Sequence, residues 1–222
     1  MEIHDIGGNR YSFVFYHTLD LQKVLDGGPW TFEQSLLIYH QLKEGEDPHL
    51  VQLNQIDIWL QVYDIPNGLL SNRILQSIDN FVGIFVKVDP SNITGGWKLY
   101  ARIRITMDID KPLKRRMKIK REGGAWSWLN FKYERLSTFC FACGMLGHSE
   151  RDCAIVYAHP DKEIERMYGT WLRAPMRGAK NQNLGAKWLR IGTGGESSRV
   201  TPSMNSPTTE SGTEMVGAKF ME

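Results

Sequence analysis

WKLYARIRITMDIDKPLKRRMKIKREGGAWSWLNFKY, residues 97–133, decides the fold. Residues 97–108, 116–121 and 126–133 read as successive antiparallel strands, with Gly123-Gly124 turning the chain between the last two. Upstream, residues 57–65 form a strand that ends at Pro66, and residues 84–88 form a short one followed by the turn chemistry of Asp89-Pro90-Ser91-Asn92. Between them Ser71 caps a helix, with Ile74, Leu75, Ile78, Phe81 and Val82 on one face and Gly83 as its stop.

The first fifty residues carry a related pattern. Gly7-Gly8-Asn9 separates strands at 2–6 and 11–17, which predicts a hairpin. Thr18 caps a helix with Leu21, Val24 and Leu25 at helical spacing. Gly27-Gly28 ends it and Pro29 forbids its continuation. Residues 35–42 read as a further strand and residues 43–49 as a polar loop. The prediction over residues 1–136 is an α+β domain, an antiparallel sheet with two short helices. Residues 137–155 form a separate small unit, 156–190 a partly ordered basic extension, and 191–222 a disordered tail rich in Gly, Ser, Thr and Pro.

Composition excludes several classes. The 222 residues hold 27 Lys+Arg against 25 Asp+Glu, a soluble balance with no run of roughly 20 apolar residues for a membrane span. MEIHDIGGNRYSF at the start is not a signal peptide. The net charge of +2 conceals a block at residues 98–121 with 10 basic groups against 2 acidic ones. Lys114, Arg115, Arg116, Lys118, Lys120 and Arg121 concentrate there. Such a block fits a polyanion, or lysines that keep a hairpin edge from pairing with another chain.

All 3 cysteines lie within Cys140-Phe-Ala-Cys143-Gly-Met-Leu-Gly-His148-Ser-Glu-Arg-Asp-Cys153, spaced C-x2-C-x4-H-x4-C. Three thiolates and one imidazole complete a tetrahedral zinc shell, so Cys140, Cys143, His148 and Cys153 are expected to hold one structural Zn2+ with no open position. Chance buried cysteines do not account for this clustering. A redox C-x-x-C needs neither the later His nor the later Cys. An odd cysteine count and one cluster point to a reducing, intracellular compartment, nucleus or cytoplasm. Phe141, Met145 and Leu146 are expected to form an apolar cleft for an unstacked base, with Arg151 and the basic block on phosphates.

The string C-F-x-C-G-x-x-G-H-x-x-x-x-C resembles the zinc knuckle of retroviral nucleocapsid proteins. Residues 131–144 are similar to the entry to the knuckle in a large plant group. That group joins domain of unknown function 4283 to such a knuckle and resembles products of LINE-type retrotransposons. Gly27-Gly-Pro-Trp30, residues 57–66, Arg102-Ile-Arg104, Lys111-Pro-Leu113 and residues 168–173 also fit, so the resemblance spans roughly 2–175. It implies zinc-dependent binding of nucleic acid. Family members carry an additional strand and helix before the position of Met1, so the chain is expected to open part-way into that domain.

Residues 9–16 resemble the RNP1 strand of an RNA-recognition motif. This implies an RRM-like N-terminal part, with Tyr11 and Phe13 offered to bases and Val14 and Tyr16 packed inward. Asp108 and Asp110 lack a third acid for a metal nuclease, and Gly192-Thr-Gly-Gly195 lacks the lysine of a phosphate loop. The expected function is therefore non-enzymatic. The partner is single-stranded RNA or DNA, with no small-molecule substrate and no membrane. The alternative is a structural or protein-interaction module in which the knuckle only ties a loop.

Overall fold

Apolar residues at every second position of a strand put one face of a sheet in the core and leave the other for polar groups. The strand Gln55–Tyr63 does this with Ile56, Ile58, Leu60 and Val62 buried. Tyr100–Asp108 does it with Ile103, Ile105 and Met107, and Trp126–Tyr133 with Leu129, Phe131 and Tyr133. These strands are β5, β7 and β9 in the computed structural model. The model describes residues 1–33, 35–66, 74, 77–78, 81–92, 99–120, 123–159 and 163–175, together with the backbone of 213–220.

The remaining strands are β1 (Glu2–Gly7), β2 (Arg10–Phe15), β3 (Trp30–Phe32), β4 (Ser35–Gln41), β6 (Ile84–Val88), β8 (Arg116–Lys120) and β10 (Thr213–Phe220), with helix α1 at Thr18–Gly27. They form two antiparallel five-stranded sheets, ordered β1-β2-β10-β4-β3 and β6-β7-β5-β9-β8. Ile74, Ser77, Ile78, Phe81 and Val82 are helical, as the spacing predicts. Ile78 is buried against the apolar face of the second sheet. Leu75 and the proposed cap Ser71 lie outside the described residues. Each fully buried aliphatic side chain contributes about 1.5–3 kcal/mol, so this one face dominates stability.

The two sheets join through arginines of the basic block. Arg104, only 1% exposed, donates to the carbonyls of Leu25 and Asp26. Those carbonyls sit at the C-terminus of α1, where helix carbonyls lack intrahelical partners and the dipole favours a cation. The Arg102 guanidinium carbon lies 3.5 Å from the Trp59 ring centre, and the group pairs with Asp89 and Glu134 at 2.6 and 2.7 Å. Lys87 bonds Asp26, and Arg135 donates to the carbonyl of Gly27. Leu36 and Ile38 of β4 share the core of the second sheet.

Three local expectations are corrected. His17, not Thr18, caps α1, its Nδ1 accepting from the Leu19 amide. In β2 the faces are reversed: Phe13 packs with Phe15 and Leu21 in the small core beside α1, whereas Tyr16 is 53% exposed. The aromatic needed to cover α1 comes from the same face as Phe13. Finally, the tail expected to be disordered contributes β10 at Thr213–Phe220, antiparallel to both β2 and β4. The β2–α1–β4 connection leaves a one-strand gap, and unpaired amides on both sides of it favour a strand there. Residues 176–212 lie outside the described residues.

Deleting residues 211–222 should accelerate amide exchange in β2 and β4 while leaving β5, β7 and β9 protected. Hydrogen exchange read by mass spectrometry checks this.

Candidate metal centre and the cationic hairpin beside it

The zinc ligands are brought together by two tight turns. Gly144 donates its amide to the Cys140 carbonyl, and Cys140 donates to that of Met145. Gly144 and Gly147 have φ of 78° and 89°, the left-handed region that glycine enters without penalty. A side chain at Gly144 would also strike the Tyr168 ring. The second half of the loop is shaped by Ser149, which accepts from the Arg151 amide and donates to Asp152. Cys153 then opens the short helix Ala154–Tyr157.

The result is one cluster. The ligand atoms of Cys140, Cys143, His148 and Cys153 all lie within 4.8 Å of one another, and Cys143 Sγ is 3.3 Å from His148 Nε2. A tetrahedral zinc with Zn–S bonds of about 2.3 Å places neighbouring sulfurs about 3.8 Å apart, so the donors fit the ion in number, chemistry and spacing. The four side chains are arranged to hold one zinc ion. Cys140 and Cys153 are buried, while Cys143 and His148 are half-buried. Burial pushes the Cys143 thiol up to about 11. Burial acts the same way at Cys153, but the amide of Val156 and the His148 ring outweigh it and bring that thiol down to about 7.

The loop is sewn to the second sheet. The Leu113 amide donates to the Gly144 carbonyl, the Tyr168 amide to that of Phe141, and the Gly147 amide to that of Thr138. Phe139 and Leu146, joined by a β-bridge, are buried in the main core with Leu113, Leu136 and Leu172. This corrects the expected cleft: Leu146 is 3% exposed and packs inward. The sheet supplies the apolar partner that an isolated knuckle lacks. Phe141 and Met145 stay half-buried, Phe141 with its ring 5.2 Å from that of Phe139. Arg151 is exposed at the far end of the loop.

The basic block divides three ways. Arg102 and Arg104 belong to the joint between the sheets. Lys114 follows Leu113, whose amide bonds the zinc loop, and Arg115 holds the segment at Met167-Tyr168 that packs on that loop. Lys114 is positioned by the buried Tyr133 hydroxyl, which donates to its carbonyl and accepts from its amide, and lies 5.5 Å from the Phe81 ring. Arg115 donates to the Met167 carbonyl and lies 5.3 Å from the Tyr168 ring. Arg116 and Lys118 alternate along the edge strand β8 with the half-buried Met117 and Ile119, and Lys120 continues the exposed row. Arg121 lies outside the described residues.

Cross-strand pairing sets Lys118 opposite Trp128 and Lys120 opposite Trp126. The two exposed tryptophans were not among the expected site residues. Their signal was present in the alternation of residues 126–133 against 116–120, once the two strands are known to pair. Tyr11 is half-buried on β2, in the first sheet, away from this hairpin in the strand order.

Zinc uptake at neutral pH must displace thiol protons, that of Cys143 among them, so acidification should favour the metal-free form. Zinc should be retained at mildly alkaline pH and lost progressively below neutrality, as read by a colorimetric chelator. Cys143→Ser should weaken zinc binding more than about 100-fold, since even outer-shell partners of a metal are worth 10- to 100-fold.

Comparison with known proteins yields two family models. Residues 1–50 match the domain of unknown function DUF4283. Residues 107–155 match a zinc knuckle, a span that includes the β8–β9 hairpin as well as the four ligands. No curated protein and no solved structure matches the chain. The chain thus carries a DUF4283 match followed by a zinc-knuckle match, in that order.

Proposed function

We propose that this protein binds single-stranded nucleic acid, RNA or DNA, without catalysing a reaction, and that it is related to retrotransposon-encoded proteins. The observation that carries the proposal is the zinc-knuckle fold set beside a strip of uncompensated cations. Among the described residues, no carboxylate forms an ion pair with Lys114, Arg115, Arg116, Lys118 or Lys120, whereas Lys111 is held by Asp108. Phosphates neutralise such a strip while releasing counterions, which gives affinity and strong salt dependence. Zinc knuckles typically serve nucleic-acid binding, and the exposed Arg151 extends the cationic surface.

A second reading has one specific observation in its favour. Leu146 and Phe139 are core residues, so the zinc loop also clamps the chain onto the second sheet. In that case the loop organises the surface that binds and does not itself read a base. Both readings keep zinc necessary for the folded form.

Binding to a short single-stranded oligonucleotide should weaken linearly in log–log plots against salt. Neutralising three cations in an Arg116→Gln/Lys118→Gln/Lys120→Gln variant should reduce the slope by about 2, from roughly 0.7 per phosphate contact on single strands. A salt-independent wild type would remove the proposal. The chelated protein should bind at least ten-fold more weakly than the zinc-loaded protein.

A further inference from the structure

The exposed face of the β8–β9 hairpin is built from flat rings and cations in alternation. Trp126 is 58% exposed and Trp128 43%. Arg116 lies 4.2 Å from the Trp128 ring centre, Lys118 lies 5.0 Å from that of Trp126 and 5.6 Å from that of Trp128, and Lys120 lies 5.7 Å from that of Trp126. The strip continues onto the neighbouring strands. Lys132 stands 4.7 Å from the Tyr63 ring, and Tyr63 meets Tyr100 at 5.1 Å. The acid beside it, Asp64, accepts from Asn130 at 2.7 Å.

An edge strand that needs only protection from other chains is served by lysines alone. Two half-open indoles add nothing to that protection and create an aggregation hazard, so their placement calls for a ligand with flat apolar faces. The flanking cations call for an anionic one. Side chains two apart on a strand stand about 7 Å from each other, twice the thickness of a stacked aromatic layer, so a base fits on or between the indoles. An acidic peptide satisfies the charges and leaves the rings unused. A duplex satisfies the charges but keeps its base faces stacked on one another.

We propose that Trp126 and Trp128 form a stacking platform for successive bases of a single strand, with Arg116, Lys118 and Lys120 holding the phosphates alongside. This rests on the nucleic-acid reading above and locates its site on the hairpin, with the zinc loop as support. The surface is sequence-tolerant, because every base has a face to stack.

The test uses the zinc-loaded full chain with oligouridylate, oligothymidylate, a duplex of equal length and polyglutamate. Trp126→Ala and Trp128→Ala should each weaken oligonucleotide binding about ten-fold, with zinc content and the salt slope unchanged. Trp→Phe at either position should restore most of the loss. Photo-crosslinking of an iodouridine-substituted strand should label Trp126 or Trp128. Wild type that binds while both alanine variants bind equally well overturns the platform and leaves the broader reading standing. So do crosslinks confined to Phe141 or Tyr11. Duplex or polyglutamate binding as tight as single-strand binding also overturns it. Failure of the wild type to bind any oligonucleotide at low salt overturns both.

Discussion

Period-two alternation on β5, β7 and β9 forces the second sheet to have one dry face and one charged face. The dry face of Ile, Leu, Val and Phe collects the helical segment around Ile78 and the inner side of the zinc loop. The other face carries Trp59, Gln61, Tyr63, Arg102, Arg104, Trp126, Trp128 and Lys132. A one-residue slip in register would exchange the two sets and take the buried Arg102 and Arg104 away from the partners that match them, at a cost of several kcal/mol for each ion. Register is therefore specified more tightly here than in the first sheet, whose cluster of buried apolar residues is small.

Charge on the polar face is handled in two ways. Near α1, guanidinium groups are buried, and their donors are matched by Asp89, Glu134 and the orphan carbonyls of Leu25 and Asp26. Toward β8 the cations stay in water and border aromatic rings. Burial with full hydrogen bonding fixes a joint, whereas hydration leaves charge available to a ligand. The same stretch of basic residues thus serves architecture at one end and recognition at the other.

Zinc and sheet divide the stabilisation of the C-terminal part between them. Coordination fixes the turns at Gly144 and Gly147, while Phe139, Leu146 and Leu172 anchor the loop in the main core. A knuckle standing alone has no such core and depends on the ion for its whole fold. This attachment is why Leu146 points inward, against an expectation based on its position between two ligands. Tyr168 closes the arrangement by packing where a side chain at Gly144 would otherwise sit.

Short-range chemistry was legible in the residues themselves. The spacing of Cys140, Cys143, His148 and Cys153 named the ion, because ligand number and turn length are local properties. The strands at 84–88 and 126–133 were placed to the residue, the first between Gly83 and Asp89-Pro90 and the second after the turn at Gly123-Gly124. Pairing, by contrast, joins residues far apart in the chain. Only the tertiary structure decided that Arg104 reaches the end of α1, that Phe13 covers that helix, that β10 lies between β2 and β4, and that Trp128 faces Lys118. Periodicity tells which side chains share a face of one strand, but which face meets solvent is set by what the other strands and the zinc loop cover.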